Sequence, residues 1–258
     1  MKIGLIGNGA IAGFVKKTLD ASVHSIDAVL LRAGRELADG GVVVHSVEDL
    51  PDELNVVVEC AGHAALHAYG VAVLERGFDL VTVSLGALAD EELYVSLTKA
   101  AEISGARLHM VSGAIGALDC LQAARVGRLD NVSYIGRKPP EGWRGSPAEE
   151  TLDLGALTSG AATHFEGSAR KAALAYPKNA NVAAAVALAG VGFDRTKVTL
   201  IADAGVTSNI HEIAAEGEFG SFQFQIMGNA LEDNPKSSAL AAMSVVSKLD
   251  QLAATITL

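Results

Sequence analysis

Over the first 111 residues, short, largely apolar runs alternate with stretches in which apolar residues recur every three or four positions. The runs at 3–6, 26–31, 42–44, 55–59, 80–84 and 107–111 have strand length, and the stretches at 10–20 and 90–104 have helical spacing. The continuous apolar character of the run at 55–59 marks a strand buried on both faces, as in a parallel sheet covered by helices. The pattern therefore predicts an α/β, doubly wound parallel sheet.

The pattern changes after Asp119. Strand-like runs at 131–137, 162–167, 197–202, 209–215 and 221–227, with helical ones at 168–175 and 182–188, predict an α+β domain. Its sheet is expected to be mixed or antiparallel, with helices on one face. Between them, residues 138–147 carry adjacent prolines and two glycines, so no regular structure is expected there. The single tryptophan, Trp143, lies inside that stretch, and an inert surface excursion is favoured over a mobile lid. A final helix at 236–249, capped by Ser237 or Ser238, has an apolar face suited to packing on the first domain. The expected domains are 1–118, completed by 236–258, and 119–235.

Composition narrows the class. The chain has 258 residues, half of them hydrophobic and 5% aromatic, with a formal net charge of −10. An acidic chain lacks the clustered basic residues of a nucleic-acid surface. Cys60 and Cys120 form neither a metal-ligand spacing nor a disulfide framework and are expected to be small buried hydrophobes. The longest apolar stretch, 182–191, is too short for a bilayer, and the first strand begins without a leader-like segment. A cytoplasmic protein with a small-molecule substrate, no nucleic-acid partner and no membrane is expected.

Candidate chemistry begins in the first turn. Gly7, Gly9 and Ala12 follow a strand and open a helix at the spacing G-x-G-x-x-A. The first glycine permits the tight turn, the second lets backbone approach a pyrophosphate, and the third position packs helix on strand. Gly7, Asn8, Gly9, Ala10, Ile11 and Ala12 are thus candidate contacts for a dinucleotide in a Rossmann fold, its anion resting on helix-terminal amides. At the end of the second strand, where an acidic residue would select NAD, stand Leu31 and Arg32, with Arg35 close behind. A guanidinium there can pair with a 2′-phosphate, so NADP is expected to be accepted without excluding NAD; two solvated arginines are the alternative. Cys60 and Ala61 lie at the carboxyl end of the fourth strand, where open α/β sheets place ligands. Ala114 follows the sixth, among small residues that let a flat ring approach. His63 and His67 stand four apart on a helix but lack a third ligand, so no metal is expected.

Two clusters stand out in the second half. Tyr176-Pro-Lys-Asn-Ala-Asn181 precedes an apolar helix; one asparagine is expected to cap it, and Lys178, Asn179 and Asn181 can hold an anion or an amide. In Asn209-Ile-His-Glu-Ile213, alternation puts Asn209, His211 and Ile213 on one face. His211 is the best acid/base candidate, since imidazole titrates near neutrality, although a lone strand histidine is commonly structural.

These segments resemble the L-aspartate dehydrogenase family: Gly-Asn-Gly-Ala-Ile-Ala at 7–12, Ser-Gly-Ala-Ile-Gly-Ala-Leu-Asp at 112–119, Arg-Lys-Pro-Pro at 137–140, Pro-Lys-Asn-Ala-Asn-Val at 177–182, Asn-Ile-His-Glu-Ile at 209–213 and Asp-Asn-Pro-Lys-Ser-Ser at 233–238. Ser237 departs mildly from the threonine expected there. The resemblance implies a Rossmann domain followed by a substrate domain, contacts from Ala114 and Asn181 to the nicotinamide nucleotide, and a catalytic His211. It implies NAD(P)-dependent, reversible oxidative deamination of L-aspartate to iminosuccinate, then oxaloacetate and ammonia. Lys178 and Asn179, with Lys236 a weaker candidate, would bind the substrate carboxylates. A reductase of another small dicarboxylate or imine, and a non-catalytic NAD(P) sensor, remain as alternatives. The direction of the reaction, toward NAD biosynthesis or toward aspartate catabolism, is not legible; pairing through the second sheet into a homodimer is expected.

Overall fold

The computed structural model describes residues 1–38, 40–177, 179–232 and 234–257, with Pro235 and Lys236 described by backbone only. Two compact units emerge, Met1–Val111 with Ala241–Leu258, and Ser112–Leu240.

In the first unit the chain runs β1 (Lys2–Ile6), α1 (Ala10–Thr18), β2 (Ser25–Leu30), β3 (Val43–Val44), β4 (Val56–Glu59), α2 (His63–Glu75), β5 (Asp79–Thr82), α3 (Glu91–Ser104) and β6 (Leu108–Met110). All pairs are parallel, in the order β3-β2-β1-β4-β5-β6. The order reverses between β1 and β4, the switch point at which doubly wound sheets bind ligands. Four of the five β1 residues and all of β4 are buried, which explains the largely apolar runs. Asp90 caps α3 by accepting from the Glu92 and Leu93 amides, and Gly105 ends it in a left-handed turn. The sheet core of Ile3, Leu5, Val56, Val58 and Val81 is closed by Ala12 and Val15 of α1 and by Val245 and Leu249 near the C-terminus. Fully burying each such Leu or Ile contributes ~1.5–3 kcal/mol.

The second unit contains α4 (Leu118–Ala124), β7 (Leu129–Lys138), α5 (Ala148–Thr151), β8 (Ala161–Ser168), α6 (Ala169–Ala175), α7 (Asn181–Ala189), β9 (Lys197–Asp203), β10 (Asn209–Gly217), β11 (Gly220–Gly228), β12 (Ala230–Leu231) and β13 (Asn234–Ser238). Its five-stranded sheet is mixed, ordered β11-β10-β7-β9-β8, and only β7 and β9 are parallel. Alternation is clean: Val132 and Tyr134 of β7, Val198, Leu200 and Ala202 of β9, and His211, Ile213 and Ala215 of β10 all face inward. Helix α7, nearly all Ala and Val, is buried over most of its length.

Four expectations need correction. The stretch after β7 is partly regular: Pro140–Trp143 forms a 3-10 turn, and Trp143 is fully buried rather than on a surface excursion. Its indole Nε1 donates to the Ile201 carbonyl at 2.9 Å, which lets the ring sit inside. The last helix, α8 (Ala239–Ala253), starts later than expected, because residues 234–238 pair with β12 as a strand before it. Ser237 and Ser238 therefore lie in that strand. The N-cap of α7 is Ala180, with no capping side chain; Asn181 is the first helical residue and Asn179 bonds elsewhere. Finally, Cys120 is exposed, since α4 turns Leu121 and Ala124 inward. Cys60 is buried, as expected.

Candidate active site

In the first unit, the candidate residues gather at the carboxyl ends of three adjacent strands. Ile6 lies beside Leu30 of β2 and Glu59 of β4, so the segments that follow all leave the same edge. Gly7 has φ +98°, and a Cβ there would stand 2.7 Å from the Ala61 Cβ; the position admits no side chain. Gly9 is the N-cap of α1. No side chain caps the helix, no acidic residue occupies its first turn, and among the described residues no atom beyond Gly9 and its two chain neighbours lies within 4 Å of where a Gly9 Cβ would be. An open space against uncapped amides fits a phosphate anion. Asn8 is exposed beside it, Ala10 and Ile11 are half-buried, and Ala12 is fully buried against the sheet.

Glu59, fully buried, holds the neighbouring loop in shape. Its Oε1 accepts from the Ala61 and Gly62 amides at 2.8 Å each, and its Oε2 accepts from the Thr82 hydroxyl at 2.7 Å. The carboxylate thus fixes the backbone that Gly7 packs against. Nothing in the residue pattern singles it out beyond a charge ending an apolar strand. Cys60 donates weakly to the Ile6 carbonyl at 3.5 Å, and burial, with Glu59 beside it, pushes its thiol pKa up, so it lines the floor as a neutral thiol. Arg32 is exposed after β2 and pairs with no carboxylate among the described residues.

Ala114, in the second unit, is buried one residue after Gly113, which has φ +69°. The β7–β10 register builds the rest of this unit's site. His211 stands opposite Gly136, and Ile213 opposite Tyr134. With the pleat period of two, Tyr134, Gly136 and Lys138 share the face that carries His211. Tyr134 Oη and His211 Nδ1 are hydrogen-bonded at 2.8 Å, both groups buried. Gly136 makes this possible, for a Cβ there would stand 2.6 Å from the Tyr134 hydroxyl.

Lys138 extends beyond them. Its Nζ donates to Asn179 Oδ1 at 2.7 Å and lies 4.7 Å from the Trp143 ring centroid. Burial pushes its pKa down to about 8. Burial, reinforced by the Lys138 charge, pushes His211 down to about 4, so the imidazole is neutral at pH 7. His164, at a bulge in β8, is pushed to about 4 by the same two causes. Its Nδ1 is 3.1 Å from the Tyr176 hydroxyl, and its ring is edge-on to Trp143 at 4.3 Å between centroids.

Of the residues expected from sequence, Asn179 and His211 are thus brought to the surroundings of Lys138. Asn181 opens α7 half-buried and has bonding partners of its own. Lys178 lies outside the described residues, as does the side chain of Lys236. Sequence reasoning passed over Tyr134 and Lys138 as site residues, although their alternation with Gly136 along one strand face was a usable signal. What it lacked was the partner strand.

Residues 119–252 match the family model described as aspartate dehydrogenase, C-terminal, and residues 4–111 match the NAD-binding domain of homoserine dehydrogenase. An L-aspartate dehydrogenase of Ruegeria pomeroyi is 53% identical over 260 residues, covering 99% of this chain and 94% of that protein. One of Pseudomonas aeruginosa is 42% identical over 267 residues, covering 100% of both. The crystal structure of aspartate dehydrogenase from Thermotoga maritima superposes with a TM-score of 0.81 at 28% identity, covering 100% of this chain and 99% of that one.

Proposed function

The chain belongs to the aspartate dehydrogenase family, and from that membership we propose that it catalyses the reversible, NAD(P)-dependent oxidative deamination of L-aspartate to iminosuccinate, which hydrolyses to oxaloacetate and ammonia. It is an oxidoreductase with a nicotinamide-nucleotide fold. When bound, the nicotinamide ring supplies the acceptor for the hydride leaving the substrate Cα. Gly7, Asn8, Gly9, Ala10 and Ile11 would hold the pyrophosphate on the open α1 terminus, with Ala12 keeping helix and strand close. Cys60 and Ala61 would form the adjoining wall, shaped by Glu59. Arg32 would donate to either a 2′-hydroxyl oxygen or a 2′-phosphate. Ala114 and Asn181 are proposed to contact the nicotinamide end, and Asn179 a substrate carboxylate. Lys178 and Lys236 remain candidates for that second task by sequence alone.

His211 would act as the acid/base. In the base-competent tautomer, Nδ1–H donates to Tyr134 Oη, leaving the Nε2 lone pair to take a proton from the water that attacks the imine. The resulting imidazolium then returns a proton to the departing amine. A dicarboxylate bound nearby offsets the Lys138 charge and raises the imidazole's basicity when the proton must be accepted.

The observation that carries this proposal is His211 itself: buried, neutral, and bonded to Tyr134 beside a lysine with no carboxylate within 4 Å among the described residues. The test is oxidation of NADH and of NADPH, assayed separately, with oxaloacetate and ammonia. Ammonia-dependent oxidation that falls by ~10²–10⁴-fold in His211→Ala supports it. Oxidation of either cofactor without any need for ammonia would instead indicate a reductase of another small dicarboxylate.

A further inference from the structure

A half-buried ammonium withdrawn from most of its water is costly unless paired, and among the described residues Lys138 is paired with a neutral amide and the Trp143 ring alone. Among the described residues no carboxylate lies within 4 Å of its Nζ, whereas Arg137, one residue earlier and on the opposite face, bonds Asp203 at 2.7 Å. Three neighbours fix the ammonium in place: Asn179 accepts from it, the Trp143 ring lies beneath it, and Gly142 packs on its stem. A Cβ at Gly142 would come 3.3 Å from the Lys138 Cβ, so a larger residue there would crowd the stem. An ammonium has three donors, and one of them is used. The arrangement is a cation held ready for an anion on the same sheet face as His211.

We propose that Lys138 is the cation that receives a carboxylate of the dicarboxylate substrate, with Asn179 and Trp143 holding its ammonium in position. The proposal rests on the aspartate reading of the reaction, and it names a recognition residue that neither composition nor the glycine turn reveals. Among the described residues, the imidazoles that feel the Lys138 charge are His211 from β10 and His164 from β8. Both are neutral throughout the range above pH 6, so a change in binding near pH 8 reports the lysine.

Succinate, which lacks the titrating amino group of aspartate, is the probe. In wild-type enzyme its inhibition constant should stay level up to about pH 8 and then weaken about tenfold per pH unit. In Lys138→Met the constant should be roughly 100-fold weaker at pH 7 and flat across that range, with the KM for aspartate raised and affinity for NADPH unchanged. Lys138→Arg should restore part of the binding and move the alkaline fall out of range. Butyrate, with one carboxylate, should show a smaller difference between wild type and Lys138→Met if the lysine serves the second carboxylate. Succinate binding in Lys138→Met equal to wild type, in an enzyme whose wild type turns over aspartate, overturns the lysine's role alone. A wild type that fails to turn over aspartate overturns the functional reading and the proposal with it.

Discussion

The absence of a side chain at position 136 is the feature of the second sheet most open to a quantitative test. A Cβ added to Gly136 would stand 2.6 Å from the Tyr134 hydroxyl, 3.2 Å from Tyr134 Cζ and 3.2 Å from Leu200 Cδ2. Carbon–oxygen contacts settle at roughly 3.3 Å or more, so the phenol must retreat by about 0.7 Å. A retreat of that size along the bond to His211, now 2.8 Å, stretches it to roughly 3.5 Å, the edge of a useful hydrogen bond. Gly136→Ala should therefore lose ~1–3 kcal/mol through overpacking and a further ~0.5–1.5 kcal/mol through the weakened bond. Tyr134→Phe should lose only the second amount. Both should lower kcat about tenfold while leaving cofactor affinity unchanged, because each frees the imidazole to turn. The double variant decides the matter. A phenylalanine ring in place of Tyr134 lacks the oxygen that collides, so Gly136→Ala should cost at least ~1 kcal/mol less in that background, measured by denaturant unfolding. Equal costs in the two backgrounds would show that the hydroxyl is not what excludes a side chain at 136, and the reasoning would fail.

Other expectations follow from the same geometry. His211 has its pKa lowered to about 4 in the fold against an ordinary 6.5; between those values the unfolded chain binds the extra proton, so stability present above pH 6.5 is lost as pH falls toward 4, by about 3 kcal/mol in all. His211→Gln should flatten that part of the pH–stability curve, leaving the share due to His164. Glu59→Ala strands the Ala61 and Gly62 amides, at ~1–3 kcal/mol each, and should weaken binding of both NADH and NADPH in calorimetric titration; Glu59→Gln, which can still accept from the amides, should be milder. Arg32→Ala should weaken NADPH about 10- to 100-fold with little effect on NADH, corresponding to one charge-assisted pair; equal losses for both cofactors would remove Arg32 from the 2′-position.

What could be read from the chain alone was whatever has a local cause. Six apolar runs, the turn at Gly7 and Gly9, and the change of period after Asp119 yielded the parallel sheet, its mixed-sheet companion and the tight β1–α1 turn. Periodicity also placed His211 on the same strand face as Ile213, which the fold turns inward. Strand partnership is non-local, and there the chain was silent. Only pairing of β10 with β7 sets His211 opposite Gly136, gives Tyr134 access to its Nδ1, and makes Lys138 part of the same surface. The Pro139-Pro140 stretch, polar and glycine-bearing, reads as exposed because its pattern does not show that Trp143 finds the Ile201 carbonyl and a space against His164. Glu59 was hidden for the same reason: a carboxylate at the end of an apolar strand looks like the start of solvent until the folded loop supplies three donors to it. Local pattern decides which strands and helices form; the burial and chemistry of a polar group are decided by the neighbours that distant segments bring to it.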